Sequence, residues 1–288
     1  MQVEKDVRNA IDLVKGLEVD QRQYKSVKIF TDFSLKHFKK YKLDNKESLL
    51  KLRSYDEVLD LVSYGSNVTC FSANRFDEYF LELFLKSLNL SYKEHFTYFT
   101  KDYTNKNQML SSEIYFKIRK HLSEDVKYFF DELYKRFNSR QLVNSGLIYP
   151  SKYPYNQLER YIRYVLNPKY YTTRDNLNER KVEFIFMSDD TAIKTFKDES
   201  FNFIDLSYNL DIASTKQQEF LLNKVGQYTK LLKENGKIQG FVSRNSEIIL
   251  PGYKRIETRS IIDPDSIKND CKKDYAYVYS NVNNIDKQ

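Results

Sequence analysis

The fold is decided by residues 49–71, which read LLKLRSYDEVLDLVSYGSNVTCF. A short apolar run covers Ser48 to Leu52, apolar residues then recur at positions 58, 59, 61 and 62, and a second run covers Val68 to Phe71. The middle spacing is that of a helix, and the two runs have the length of strands. The stretch therefore predicts one βαβ unit.

The loop that joins the first strand to the helix contains no glycine. In βαβ units that bind nucleotide-like ligands, glycines in this loop let the backbone approach the ligand, and the helix N-terminus attracts negative groups. Here the loop consists of Arg53, Ser54, Tyr55 and Asp56. Ser54 or Asp56 could cap the helix, so the fold tolerates the change better than a pocket does. A ligand-binding turn and an ordinary turn are equal alternatives on this pattern.

Composition bounds the class of protein without naming a partner. A chain of 288 residues with 41% hydrophobic and 30% charged residues predicts a soluble globular protein with a substantial core. The basic net charge of +7 allows contact with nucleic acid, anionic lipid or acidic proteins. Cys70 and Cys271 match no disulfide framework or zinc spacing, and no apolar run approaches the roughly 20 residues of a membrane span. We expect a cytoplasmic protein without a transmembrane segment.

The second half of the chain alternates strand and helix patterns. Strands are predicted at Val182–Met187, Phe201–Ser207 and Lys237–Val242, with helices at Asp189–Phe196 and Lys216–Leu232 between them. Such alternation indicates an α/β fold with a Rossmann-like, doubly wound and mostly parallel sheet. Two further apolar segments could supply the last two strands, namely Ile256–Ile262 and Tyr275–Tyr279.

A long helical block interrupts the predicted sheet. We expect residues 1–45 to form an N-terminal helical extension and residues 46–288 one α/β domain, with a large helical insertion at about 75–166. The helices predicted from apolar spacing are Val3–Leu17, Phe33–Tyr41, Arg75–Leu88, Tyr92–Phe99, Ser111–Leu122 and Glu124–Asn138. The insertion could cover a site, form a homo-oligomer contact or thicken the core.

Aromatic and basic residues interleave between Tyr149 and Lys181. This span holds seven basic and three acidic residues. Tyrosine rings can stack on bases while arginine and lysine neutralise phosphates, so a single-stranded nucleic-acid contact is one hypothesis. The alternative, which we favour, is a tyrosine-rich helix at Asn156–Leu166 that packs on the core. The candidate contact residues are Lys152, Tyr153, Arg160, Arg163, Tyr164, Lys169, Tyr170 and Arg174.

The sequence shows no pattern typical of a metal site, a phosphate-binding loop or a nucleophile elbow. The three histidines, His37, His95 and His121, show no metal-ligand spacing, so no metal site is predicted. The sequence also lacks a Gly-Lys-Ser or Gly-Lys-Thr phosphate loop and a Gly-x-Ser-x-Gly elbow.

Several segments in a fixed order resemble a known family. They are the first βα unit, NVTCFSANRFDEYFLELFLKSL from Asn67, LSYKEHFTYF from Leu90, FNFIDLSYNL from Phe201 and LLKENGKI from Leu231. Together they resemble the class I S-adenosylmethionine-dependent methyltransferase-like superfamily, and within it the branch of aminocarboxypropyl transferases of betaine-lipid synthesis with its uncharacterised bacterial and prophage relatives. The resemblance covers about Ser48 to Arg244.

The resemblance implies a cofactor site with altered contacts. Relatives have a glycine-rich turn where Arg53–Asp56 stands, and an acidic residue that binds the ribose near Ser72. A serine makes only a neutral hydrogen bond there, whereas a carboxylate accepts from both hydroxyls. Asp189 and Asp190 stand where relatives contact the adenine, although Asp189 could instead cap the helix that begins at Thr191.

The resemblance also implies a substrate-facing loop after the fourth strand. It carries Asp205, Ser207 and Asn209, which are the candidate catalytic residues. Polar residues at strand ends also commonly bond loop backbone groups, and this alternative stays open.

Two functions follow from these patterns. One is a methyltransferase-like pseudoenzyme that has lost its cofactor and binds or regulates a protein or nucleic-acid partner. The other is a transferase that moves the methyl or aminocarboxypropyl group of S-adenosylmethionine to a nucleophile, with Asp205 as a general base. The missing glycines and ribose carboxylate favour the pseudoenzyme slightly. Fold class alone does not separate the two.

Overall fold

The computed structural model describes residues 2–29, 41–100, 109–148, 169–209, 215–242, 253–259 and 273–280. The chain divides into two compact units, one made of Met1–Phe30 and Ala73–Arg174, the other of Thr31–Ser72 and Asp175–Gln288. We call the first the helical unit and the second the sheet unit. The boundaries expected at residue 45 and at about 75–166 stay a prediction.

The described elements follow the alternation that the sequence indicates. The strands are β1 (Glu47–Lys51), β2 (Asn67–Ser72), β3 (Val182–Phe186), β4 (Phe201–Asn209), β5 (Leu232–Val242), β6 (Tyr253–Arg259) and β7 (Lys273–Ser280). The helices are α1 (Gln2–Val14), α2 (Tyr55–Ser63), α3 (Phe76–Lys86), α4 (Tyr92–Phe99), α5 (Ser112–Arg119), α6 (Glu124–Arg136), α7 (Ser139–Asn144), α8 (Lys169–Glu179), α9 (Asp189–Thr195) and α10 (Thr215–Thr229).

The sheet unit has a Rossmann-like α/β architecture. The seven strands that the structure describes lie in the order β3-β2-β1-β4-β5-β7-β6. The first five are parallel, and β7 runs antiparallel between β5 and β6. The order 3-2-1-4-5 is that of doubly wound folds, which bind ligands outside the carboxyl ends of the strands where the order reverses. In this chain that switch point lies between β1 and β4. The predicted fold class is confirmed.

One boundary differs from the sequence-based prediction because of a bulge. The helix expected to end at Leu232 ends at Thr229, and β5 begins at Leu232 instead of Lys237. Leu232 pairs with Phe201 and Lys237 with Phe203, so the register shifts between them. Residues 234–236 are therefore extra chain inside the strand, with Asn235 at a positive φ of 59°.

One face of the sheet packs against α9 and α10. Its apolar layer holds Leu49, Phe71, Ile204 and Ile238 from four strands, which are at most 1% exposed. Ala192 of α9, Val225 and Tyr228 of α10, and Leu231 just after α10 join the same cluster. Burial of this layer fixes the start of α9 close to the carboxyl end of β1, which matters for the site below.

The helical unit has a core of aromatic rings that encloses the fully buried carboxylate of Asp6. Phe129 of α6 stacks on Tyr79 of α3, with ring centroids 4.2 Å apart. The buried Asp6 of α1 accepts hydrogen bonds from Tyr24 (2.8 Å) and Tyr79 (2.7 Å). Burial, with the Asp6 hydrogen bond adding to it, raises the pKa of Tyr24 to about 12. The bond from Tyr79 joins α1 to α3.

The helical unit also contains a buried serine–histidine pair. The hydroxyl of Ser87 donates to the carbonyl of Phe84 (2.5 Å) and lies 2.6 Å from Nδ1 of His95. Because a hydroxyl has one proton, Nδ1 is the donor in the second bond. The rings of Phe84 and Phe99 lie against the imidazole. Burial lowers the pKa of His95 to about 3, so the ring is neutral.

Some expectations about the elements need correction or fall outside the description. Helices α7 and α8 were not expected from the sequence. The expected helices Phe33–Tyr41, apart from Tyr41, and Asn156–Leu166 lie outside the described residues. Within the described ranges, every helix is too short or too polar to cross a membrane.

Candidate functional site

The switch point brings the end of β1 and the beginning of α2 to the edge of the sheet where ligands bind in this architecture. Strand β1 ends at Lys51, and Ser54 is the N-cap residue of the nine-residue helix α2. All of these residues belong to the sheet unit.

The turn after β1 is formed without glycine and without backbone strain. Ser54 has an extended backbone, with φ −152° and ψ 155°. The non-glycine residues at positive φ in the described chain are Lys42, Asn45, Leu110, Glu199 and Asn235, so none lies in this turn. A glycine is required for conformation only where φ is positive. The absence of glycine therefore does not distort this turn. Whether a ligand can approach it depends on the space that the side chains leave.

The side chains of the turn are almost completely shielded from solvent. Ser54, Tyr55, Asp56 and Glu57 are each at most 1% exposed. The guanidinium of Arg53 donates to Oε1 of Glu57, four residues later. Tyr55 is part of the core, so it does not project from the turn into open space. Four consecutive buried residues, three of them polar, make an unusual helix beginning.

Between Ser54 and Glu57, two buried polar atoms have no hydrogen-bond partner in the described part of the chain. They are Oγ of Ser54 and Oε2 of Glu57. Most buried polar atoms in folded proteins are hydrogen-bonded, and an exception calls for a specific reason such as a ligand. These two atoms lie at the N-terminal end of a helix at the switch point, where a ligand is expected.

The residues Ser54-Tyr55-Asp56-Glu57 match the capping-box pattern Ser-x-x-Glu. The structure does not form the box, since no side chain caps α2. Ser54 is among the turn residues predicted from the βαβ pattern, whereas Glu57 is not. The Ser-x-x-Glu spacing was the signal that could have found it.

A second polar group at this edge surrounds Asp189. Its Oδ2 lies 2.5 Å from Nζ of Lys51, and its Oδ1 accepts from the hydroxyl of Tyr228 at 3.1 Å. The capping role considered for Asp189 is taken by Ser188, whose hydroxyl accepts from the backbone N–H of Thr191. Asp189 is thereby left to bond the end of β1 instead of the helix backbone.

Asp190 forms an ion pair on the outer surface. It pairs with Lys224 of α10, and this hydrogen bond lowers the pKa of Asp190 below its usual range. Its side chain remains 72% exposed. The pair links α9 to α10, and a cofactor contact by Asp190 stays a prediction.

The candidate catalytic residues lie along β4. Asp205 is fully buried, and Nε2 of Gln239 donates to its Oδ2 at 2.6 Å. Its neighbours across the sheet are Leu50 and Gln239. Ser207 and Asn209 follow on the same strand, and the structure describes only their backbone. Their catalytic roles stay predictions.

Burial around Asp205 also affects a nearby tyrosine. Tyr41 stacks on Phe203, with ring centroids 5.2 Å apart, and the ammonium of Lys237 lies 5.1 Å from the Tyr41 ring. Burial, and then the charge of Asp205, raises the pKa of Tyr41 far above its ordinary value.

The remaining predicted contacts are only partly covered by the structure. Ser72 ends β2, is half-buried, and its carbonyl accepts from the backbone N–H of Met187. Lys169, Tyr170 and Arg174 lie on α8, and the other candidate nucleic-acid contacts, at positions 152–164, lie outside the described residues. The nucleic-acid surface stays a prediction. Among the described side chains, no group of three or more His, Cys, Asp or Glu could hold a metal ion.

Comparisons with known proteins add only a distant likeness. No family model matches the chain, and no curated protein sequence matches it. A predicted methylase from Haemophilus influenzae is similar in structure, with 12% identity and a TM-score of 0.34, covering 86% of this chain and 93% of that one.

The rRNA methyltransferase aviRa from Streptomyces viridochromogenes is similar in two structures. One has 8% identity and a TM-score of 0.37 over 83% of this chain and 77% of that one. The other has 8% identity and a TM-score of 0.36 over 95% and 84%. Scores at this level carry no conclusion about function, which has to come from the site.

Proposed function

We propose that the protein binds S-adenosylmethionine at the switch point between β1 and β4 and is a transferase of its methyl or aminocarboxypropyl group. The observation that carries the proposal is the hydroxyl of Ser54, which is fully buried at the N-terminus of α2 without a hydrogen-bond partner in the described structure. When bound, this cofactor supplies a carbon already activated by its sulfonium, so the protein has mainly to position the acceptor.

The N-terminus of α2 and the hydroxyl of Ser54 offer hydrogen-bond donors to one end of such a ligand. Its aminocarboxypropyl end carries a carboxylate, and the N-terminus of α2 favours negative charge through its unbonded N–H groups and the helix dipole. The hydroxyl of Ser54 can donate to the same carboxylate. Ser72 could give the ribose a neutral hydrogen bond where relatives use a carboxylate.

The absence of glycine from the turn is weaker evidence for loss of the cofactor than the sequence alone suggests. The glycine-free turn favoured loss of the cofactor, but this turn needs no positive φ and is formed by Arg53–Asp56 without strain. The same proposal includes a nucleophile that accepts the transferred group. It also includes a cofactor contact by Asp189 and catalytic roles for Asp205, Ser207 and Asn209.

A second candidate function rests on the ion pairs of the site. Arg53 pairs with Glu57, and Lys51 with Asp189, so charged groups at the switch point are neutralised within the protein. A binding or regulatory pseudoenzyme without cofactor would use such pairs to close its former site. Its partner would be a protein or a nucleic acid.

Calorimetric titration with S-adenosylmethionine and S-adenosylhomocysteine separates the two candidates. The transferase proposal predicts micromolar affinity, and absence of heat at millimolar ligand would leave the pseudoenzyme. Ser54→Ala sharpens the test. It should weaken binding by about tenfold, because a hydrogen bond to a charged group is worth about 1.5–3 kcal/mol.

The same variant should be slightly more stable than wild type. It removes a buried hydroxyl that lacks a partner, and such a group costs about 1 kcal/mol or more in the unliganded protein. The matched control is Ser48→Ala. Ser48 is equally buried, but its hydroxyl lies 2.6 Å from that of Ser66, so this change should lower stability and leave affinity unchanged. Thermal unfolding measures the stability of both variants. Similar destabilisation by the two substitutions would count against a ligand role for Ser54.

A further inference from the structure

We propose that Lys51 and Tyr228 are positioning residues: together they hold the carboxylate of Asp189 in one orientation, in which it accepts a hydrogen bond from the amino group on the base of a nucleoside ligand. The inference rests on the proposed function for the presence of such a ligand. It names the group of the ligand that Asp189 contacts and the two residues on which that contact depends.

The last side chain of β1 is a charged one on the packed face of the sheet. Side chains alternate along a strand, so Lys51 lies on the same face as Leu49, which belongs to the apolar cluster under α9 and α10. Its neighbour on β2 is Phe71, a member of the same cluster. An ammonium beside apolar side chains requires a partner, and Nζ of Lys51 donates to Oδ2 of Asp189 at 2.5 Å. The end of β1 therefore determines where this oxygen lies.

The other oxygen of Asp189 is held from a second direction. The hydroxyl of Tyr228 donates to Oδ1 at 3.1 Å, and the buried Tyr228 ring stacks on Phe71 with ring centroids 6.4 Å apart. Because Ser188 caps α9, the Asp189 carboxylate is not drawn to the helix backbone. With one donor on each oxygen, the carboxylate cannot rotate without losing a hydrogen bond. Residues of β1 and α10 thus fix its orientation.

The fixed carboxylate can still accept a hydrogen bond from a ligand. A carboxylate has about four acceptor positions, and the two bonds leave room for a further donor. The side chains of Lys51 and Asp189 are 31% and 24% exposed, so a ligand can reach the group. It lies at the carboxyl end of β1, at the edge of the sheet where ligands bind in this architecture.

The chemistry of this group selects a neutral N–H donor. A carboxylate accepts hydrogen bonds and donates none, so it favours an amino group over a carbonyl oxygen or an unprotonated ring nitrogen. Its charge is already balanced by Lys51, and the amino group on the base of S-adenosylmethionine is a neutral donor. Partial exposure also argues against a purely stabilising pair, because ion pairs open to solvent contribute little to stability.

The test compares two ligands that differ only in this amino group: S-adenosylhomocysteine and its analogue in which hydrogen replaces the amino group of the base. Calorimetric titration of wild type should show about tenfold tighter binding of S-adenosylhomocysteine, as expected of one hydrogen bond to a charged group. In Lys51→Met and Tyr228→Phe this preference should fall to about twofold or less. Lys51→Arg keeps a charged donor and should restore most of it.

The preference between the two ligands separates positioning from a structural role. Loss of a stabilising contact alone weakens the binding of both ligands equally, and an unchanged preference in both Lys51→Met and Tyr228→Phe would overturn the proposal. The control is Lys181→Met, which breaks an ion pair with Glu183 at the amino end of β3. It should keep the preference of the wild-type protein.

Two results with the wild-type protein distinguish failure of this inference from failure of the proposed function. Equal affinity for the two ligands would overturn the inference, while the proposed function stands. Absence of binding of either ligand at millimolar concentration would overturn the proposed function and this inference together.

Discussion

Replacing Asp205 with alanine is expected to lower the free energy of unfolding by about 3 kcal/mol, because it leaves a buried amide without its acceptor and removes packed atoms from the sheet. Asp205 is fully buried, and Gln239 on the neighbouring strand donates to it at 2.6 Å. The carboxylate thus holds β4 and β5 together below the switch point, whatever chemistry it performs.

Replacing both partners separates this interaction from a catalytic role. Asp205→Leu combined with Gln239→Met removes donor and acceptor together, and such apolar pairs of similar shape are often nearly neutral. We expect the double variant to regain most of the stability that Asp205→Ala loses, as measured by urea unfolding at pH 7. An Asp205→Ala variant within about 0.5 kcal/mol of wild type would show that the buried bond contributes nothing to stability.

Acidification should destabilise the protein through His95. Burial lowers the pKa of its imidazole from 6.5 to about 3 in the folded state. Below pH 6.5 the unfolded chain gains a proton that the folded chain does not, so this contribution to stability is complete above pH 6.5 and is lost as the pH falls toward 3. Between pH 7 and pH 5 the loss amounts to about 2 kcal/mol.

His95→Gln isolates this contribution. Glutamine keeps a donor for Ser87 but does not titrate, so the difference in stability between pH 7 and pH 5 should shrink by about 2 kcal/mol relative to wild type. His121→Gln is the control, because His121 is exposed and should leave the pH profile near that of wild type. Equal pH profiles for wild type and His95→Gln would show that His95 is protonated within the folded protein.

The sequence predicts an element well where its apolar residues follow one regular spacing. Helix α2 (Tyr55–Ser63) forms where the sequence predicts a helix, because its apolar residues at 58, 59, 61 and 62 repeat cleanly between two strands. The prediction was wrong at the start of β5, where Glu234-Asn235-Gly236 is typical of a turn before the strand but lies inside it as a bulge. A bulge is set by pairing with β4, and such pairing between distant segments leaves no local signal.

The candidate site was only partly predictable for the same kind of reason. The turn at Arg53–Asp56 was located from the βαβ pattern. The unformed capping box at Ser54 and Glu57 could not be predicted, because it depends on which partner the Glu57 side chain takes. Likewise, Asp189 was expected to contact cofactor or cap a helix, whereas its bonds to Lys51 and Tyr228 join segments far apart in sequence.

The central claim is that a ligand binds at the N-terminus of α2, and a titration of ¹⁵N-labelled protein with S-adenosylhomocysteine tests it most directly. The claim predicts that the amide signals of residues 51–57 shift first and by the largest amounts, while those of α6 remain in place. Shifts confined to other parts of the chain, or no shift at millimolar ligand, would contradict it.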